Sequence, residues 1–166
     1  MKIGVISDTH MPKKAKNHPK KLLEGLMDVD TIIHAGDWVT MDVYHQLKQI
    51  AQVNGVYGNV DSIEVQQYFK EKMVLEVNGH KIGIVHGHIG KKKTTPERAL
   101  EAFQDEKVDV IIFGHSHIPY HKIHNDTILF NPGSPTDKRF QPQFSYGIIE
   151  LKESIDIKHH FFDDKS

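Results

Sequence analysis

Five short polar clusters hold most of the residues in this sequence equipped for bond-breaking chemistry: Asp8-Thr9-His10, Gly36-Asp37, Gly58-Asn59-Val60-Asp61, His86-Gly87-His88 and Gly114-His115-Ser116-His117. They offer carboxylates, imidazoles and one amide. Such hard oxygen and nitrogen donors are what a pair of divalent cations requires. Asp and His one residue apart can both turn toward one ion from an extended loop. With Asp8, His10, Asp37, Asn59, His86, His115 and His117 as donors, two cations bring four positive charges and the two carboxylates return two negative ones. The surplus suits a hydroxide together with an anionic phosphate. Two metals ~3.5–4 Å apart can clamp the attacking and leaving oxygens of an in-line displacement. Asp-x-His alone is a weak signal and Gly-Asp carries almost none. All five clusters, in order, form a strong one.

Each cluster follows an apolar run that reads as a strand, and binding groups in α/β sheets gather beyond the carboxyl ends of strands. Lys2–Ser7, Thr31–His34 and Val53–Tyr57 are the first three such runs. Between them, Pro19–Met27 has apolar residues at helical spacing, and Thr40 is placed to cap a second helix carrying Val43, Leu47 and Ile50. Met73–Val77 and Lys81–Val85 flank Asn78-Gly79, a pair suited to the positive φ of a type I′ hairpin turn. Thr95-Pro96-Glu97 opens a further helix, and Val108–Phe113 is another buried strand. A second hairpin turns at Asn125-Asp126. Tyr146–Leu151 and Ile155–Phe161 alternate apolar and polar residues as half-exposed strands do. Early strands alternate with helices and later ones pair as hairpins, which predicts two packed sheets with helices outside them. Glycine before Asp37, Asn59 and His115 is expected to let the backbone leave each strand sharply.

The 166 residues are read as one domain, 1–166, with a core of its own. The balance of 21 basic against 22 acidic residues gives no strong nucleic-acid signal and no sign of membrane attachment. No run approaches the ~20 apolar residues of a membrane span. Absence of cysteine excludes disulfides, thiolate–zinc sites and cysteine nucleophiles. A cytoplasmic protein is the expectation.

The series Asp8-x-His10, Gly36-Asp37, Gly58-Asn59, His86-Gly87-His88 and Gly114-His115-x-His117, with Asn131-Pro132-Gly133-Ser134 further on, resembles the calcineurin-like metallophosphoesterases. It is most similar to their small prokaryotic single-domain phosphodiesterases. The resemblance implies an αββα four-layer sandwich of two mixed sheets flanked by helices. It implies one metal on Asp8, His10 and His117, a second on Asn59, His86 and His115, and Asp37 bridging. Two divalent ions per chain are expected, manganese first, with nickel, zinc, iron or magnesium as alternatives. The implied activity is hydrolysis of a small phosphodiester or nucleotide-like substrate by a hydroxide held between the metals. A metal-binding interaction scaffold of the same fold, as in a retromer subunit, is the rival reading. One departure is Val60, where most of the superfamily has a histidine credited with helping the leaving group. A di-zinc hydrolase of the metallo-β-lactamase type is excluded, because His86-Gly87-His88 continues as Ile89-Gly90.

Around these donors, His88 reads as a phosphate contact, a support for His86 or a solvated residue. Asp61 would bond a ligand histidine or cap the following segment. Arg139 can grip phosphate bidentately or be an ordinary surface residue. His34 is expected to pack within its strand. His18, His45, His80, His121, His124, His159 and His160 are expected at the surface. Lys91-Lys92-Lys93 and Lys13, Lys14 and Lys16 read as solvated lysines, with attraction of a polyanionic substrate toward the rim as the alternative.

Overall fold

The protein is described by a computed structural model covering residues 1–166. Its first half alternates strand and helix: β1 (Lys2–Ile6), α1 (Lys20–Leu26), β2 (Thr31–His34), α2 (Met41–Lys48), β3 (Gln52–Gly55) and α3 (Ile63–Tyr68). The hairpin β4 (Lys72–Val77) and β5 (His80–Val85) follows, then α4 (Thr95–Ala102) and β6 (Val110–Ile112). Two more antiparallel pairs complete the chain: β7 (Tyr120–His124) with β8 (Thr127–Asn131), and β9 (Phe144–Leu151) with β10 (Ile155–Phe162).

The strands form two five-stranded mixed sheets, ordered β10-β9-β1-β2-β3 and β4-β5-β6-β8-β7. Side-chain alternation decides what each sheet buries. Ile3, Val5 and Ile33 of the first sheet meet Ile82, Ile84, Val110, Ile112 and Phe130 of the second in one apolar layer. The opposite faces carry Ile6 and Ile32 against Leu22, Leu26 and Leu47 of α1 and α2, and Val85, Ile111 and Phe113 against Ala99 and Phe103 beside α4. Full burial of one such side chain is worth about 1.5–3 kcal/mol. Three apolar layers therefore give the αββα order. No helix is long and apolar enough to cross a membrane.

Both hairpins turn where expected, with Asn78 and Gly79 at φ 49° and 77° and Asn125 and Asp126 at φ 46° and 68°. Helix α4 opens at Thr95 as expected, behind the cap residue Thr94, whose hydroxyl accepts the Glu97 N–H at 3.3 Å and donates to the Glu97 carboxylate at 2.8 Å. Two local expectations need correction. Thr40 occupies the cap position of α2 without any side-chain cap bond. Helix α3 was not expected in its polar stretch. Its signal is Ser62, whose hydroxyl accepts the Val65 N–H at 3.3 Å, with Val65 the residue it buries.

Candidate metal centre

The loops after β1, β2, β3, β5 and β6 converge, and they are tied backbone to backbone. Asp8 N–H donates to the Gly36 carbonyl, His10 N–H to that of Asp37 and Gly114 N–H to that of His86, each at 3.0 Å. Five of the seven predicted donors leave their strands in the left-handed region: Asp8 at φ 58°, His10 at 45°, Asp37 at 59°, His115 at 70° and His117 at 61°. Such backbone costs about 1–3 kcal/mol for a non-glycine residue and collects at functional sites. Among the preceding glycines, only Gly36 has a positive φ, 101°. Gly58 and Gly114 are required for close approach instead: a Cβ on Gly58 would collide with the Asp37 carboxylate, and one on Gly114 with Ser7 and Asp8.

Two clusters result, each with donor atoms within 4.8 Å of one another: Asp8, His10 and His117, and Asp37, His86 and His115. The two carboxylates are built alike. Asp8 Oδ2 accepts the Ser7 hydroxyl at 2.9 Å and the His115 N–H at 3.0 Å, leaving Oδ1 facing His117 Nε2 at 3.5 Å and His10 Nε2 at 3.7 Å. Asp37 Oδ1 accepts the Val60 N–H at 3.0 Å, leaving Oδ2 at 3.1 Å from His86 Nε2 and 3.5 Å from His10 Nε2. Asn59 Oδ1 lies 3.1 Å from both His86 Nε2 and His115 Nδ1.

Second-layer bonds set the histidine tautomers. A carbonyl oxygen only accepts, so His86 Nδ1–H donates to Ala35 at 2.7 Å and His117 Nδ1–H to Asp137 at 2.6 Å. Each ring then commits Nδ1 to its carbonyl and turns Nε2 into the cluster, the nitrogen a metal ligand there would use. Asp8 Oδ1, His10 Nε2 and His117 Nε2 are buried polar atoms without a hydrogen-bond partner. Orphans of this kind are expensive unless something satisfies them. An oxygen and two imidazole nitrogens facing one another fit a divalent cation.

The electrostatics agree. Burial opposes charge on Asp8, but His86, His10 and His117 outweigh it and hold its carboxyl below the usual range. Burial likewise opposes charge on His86, while Asp8 and Asp37 prevail and lift its pKa to about 9. A potential that draws a proton so strongly also draws a divalent cation. His115 and His88 are pushed down, first by burial and then by His86.

Neither expectation for Asp61 holds. Its carboxylate bonds no histidine; it accepts the N–H groups of Asp37, Gly58 and Val39 at 3.0, 2.7 and 2.6 Å. His34 packs in its strand as expected. It stacks on Trp38 with ring centroids 3.8 Å apart, accepts the Gly36 N–H at 3.1 Å and lies 3.0 Å from the Thr9 hydroxyl. The Asn131–Ser134 segment is a clamp. Asn131 donates to the Gly114 carbonyl at 3.0 Å, and Ser134 to that of Asp8 at 2.8 Å. Thr136 adds a bond to the Thr9 carbonyl at 2.6 Å. Nothing at Ser7 or Thr136 marks them in sequence, since a buried hydroxyl and a solvated one look alike there.

His88 stands beside the second cluster, with its ring 5.3 Å from His86 and 6.3 Å from His115, and Nδ1 is buried without a partner. Arg139 is exposed at φ 49° and makes no hydrogen bond or ion pair with the donors. Lys91, Lys92 and Lys93 are exposed as expected. His18 is buried and His159 half-buried, against expectation. His159 lies against Phe130 and donates to the Asn131 carbonyl at 2.7 Å.

Two mixed sheets layered between helices, with donor groups at their strand ends, define the metallophosphoesterase fold. The chain belongs to the calcineurin-like phosphoesterase superfamily, whose domain model matches residues 1–154. A probable metallophosphoesterase of Methanocaldococcus jannaschii is 38% identical over 158 residues, covering 95% of this chain and 80% of the relative. A phosphodiesterase of the same organism is 30% identical over 150 residues, 80% of this chain and 83% of the relative. Wild-type Vps29 of Entamoeba histolytica, solved in complex with zinc, superposes with a TM-score of 0.79 at 24% identity. That match covers 98% of this chain and 100% of the other, and it is a likeness of fold.

Proposed function

We propose that this protein hydrolyses phosphodiesters at a two-metal centre. Asp8, His10 and His117 hold one ion, Asn59, His86 and His115 the other, and Asp37 serves both. The observation that carries this reading is the single oxygen Asp37 Oδ2, within 3.5 Å of His10 Nε2 in one cluster and 3.1 Å of His86 Nε2 in the other. Two divalent ions supply Lewis acidity toward phosphoryl oxygens and lower the pKa of bound water to near neutrality. The protein's own part is to hold the donors fixed: Ser7 and Val60 orient the carboxylates, and the Ala35 and Asp137 carbonyls hold Nδ1–H of His86 and His117 so that Nε2 faces the clusters. Preorganised groups of this kind need no reorganisation as charge develops. His88 borders the second cluster as a contact for the phosphoryl group or the leaving oxygen, and Arg139 on its exposed turn is the candidate grip on substrate phosphate. The phosphodiesterase relative supports a diester substrate, and the complete donor set favours turnover over a scaffold of the same fold. We read residues 1–166 as one domain acting in the cytoplasm, with manganese as the first choice of metal.

The test is to strip the protein with chelator, titrate manganese by calorimetry and assay a panel of phosphomonoesters and phosphodiesters. Two ions per chain and diester turnover that returns with metal are expected. One saturable site, or turnover indifferent to chelation, refutes the proposal.

A further inference from the structure

On the outer side of the second sheet a cavity of about 610 Å³ opens between α4 and the β7–β8 hairpin. Its apolar walls are Leu100, Phe113, Ile118, Tyr120, Ile123 and Leu129. Phe113 and Tyr120 meet edge to face with ring centroids 5.8 Å apart. The ionisable groups bordering the cavity, Glu97, Lys122 and His124, are all exposed. A second anionic group entering here would find no buried cation, whereas a flat neutral ring would find aliphatic and aromatic walls. The volume lies within the 300–1,000 Å³ range typical of small-molecule sites.

Two loops connect the wall of the cavity with the candidate metal centre. Ser116, in its lining, sits between His115 and His117, and Ile118 follows His117 directly. On the other side, Thr95 of the lining packs against Gly87, where a Cβ would come within 2.8 Å of Thr95 Cγ2. Gly87 in turn sits between His86 and His88. One of the loops that supply histidines from the second sheet therefore lines this apolar volume, and the other packs against its Thr95 wall.

We infer that the cavity receives a neutral aromatic arm of the substrate, of aryl or nucleoside type, while the phosphoryl group lies at the histidine clusters. The inference rests on the phosphodiesterase reading and adds the class of organic group the site selects. The apolar floor accounts for aromatic preference, and the exposed polar rim leaves room for a sugar or the edge of a base.

The test compares phenylphosphonate with methylphosphonate, which present the same anion to the centre and differ only in the arm. Their Kd values are measured by calorimetry on the manganese-loaded protein, and their Ki values against bis(p-nitrophenyl) phosphate. Phenylphosphonate is expected to bind at least about tenfold more tightly, since even one methylene in an apolar pocket discriminates by 10-fold or more. Ile123→Glu, at a position 72% exposed and so tolerant of charge, should abolish most of that preference and leave methylphosphonate binding unchanged. Leu100→Trp, which fills the cavity, should do the same. Equal affinities in the wild type, or a preference that survives both variants, overturns the inference while diester turnover stands. Absence of turnover together with absence of binding by either phosphonate instead refutes the underlying phosphodiesterase reading.

Discussion

Asp61 accepts the backbone N–H of Asp37 at 3.0 Å, so one buried carboxylate holds the backbone that aims another. Its remaining acceptors go to Gly58 and Val39 N–H, and Val39 sits at φ 80°, an unusual value for a β-branched residue. Burial pushes the Asp61 carboxyl up, and the N–H donors from Gly58, Val39 and Asp37 act against that push. The loop that presents Asp37 is thus strained and held by a charge that no histidine touches.

Asp61→Asn keeps one acceptor oxygen and turns an amide toward the other N–H donors. Each buried N–H left without an acceptor costs about 1–3 kcal/mol. Residues supporting a ligand typically govern about 10–100-fold in metal affinity. Weaker binding of manganese in that range, with a lowered Tm, is the expected result of calorimetry and thermal unfolding. A lowered Tm with unchanged affinity would make Asp61 a stability residue only.

Asp37→Asn should be the most damaging conservative change among the seven donors. Asp37 Oδ2 reaches both clusters, so losing its charge weakens two ions at once. Asn59 Oδ1 approaches only His86 and His115, and Asn59→Ala should release one ion and leave the other bound. Elemental analysis after gel filtration separates the cases. Two retained metals and near-normal turnover in Asp37→Asn would remove its bridging role.

The donors were legible in the sequence because each one ends an apolar run, so the strand pattern that builds the sheets also places the site. Hairpins were legible because Asn78-Gly79 and Asn125-Asp126 tolerate the positive φ their turns adopt. Asp61 was misread for a physical reason. Its partners are backbone N–H groups from the loops after β2 and β3, and backbone donors have no signature in sequence. The same holds for Ser134 and Thr136, whose acceptors lie more than 120 residues away. His18 looked solvated in a stretch of lysines, yet the fold closes over it.

His18 gives a pH-dependent stability. Both its ring nitrogens are buried without partners, and burial lowers its pKa to about 4. Its titratable neighbour His34 is also pushed well below 6.5, first by burial. Between about pH 6.5 and 4 the unfolded chain binds a proton at position 18 that the folded chain refuses. Stability therefore falls as pH drops through that window. The gap is worth roughly 3 kcal/mol. Urea unfolding between pH 7 and 4.5 should show a steep loss in the wild type and a shallower one in His18→Leu. Parallel curves would mean that other groups carry the acid sensitivity.

Leaving-group chemistry is where Val60 matters. The residue after Asn59 is aliphatic and 45% exposed, so it can neither donate nor accept a proton. The departing oxygen must then rely on metal, water or His88, whose ring stands 5.3 Å from His86 with Nδ1 unpartnered. General acid help is typically worth ~10²–10⁴ in rate, and its lack should appear in substrate choice. Activated aryl diesters are expected to be cut far faster than alkyl ones, with a steep dependence on leaving-group pKa. If His88 assists in part, His88→Ala should harm poor leaving groups more than good ones while both metals stay bound. A series of aryl diesters run on both proteins decides the matter. A flat dependence in the wild type, with chemistry rate-limiting, would reveal an acid other than those named. Parallel lines for the two proteins would confine His88 to contacting phosphate or orienting His86.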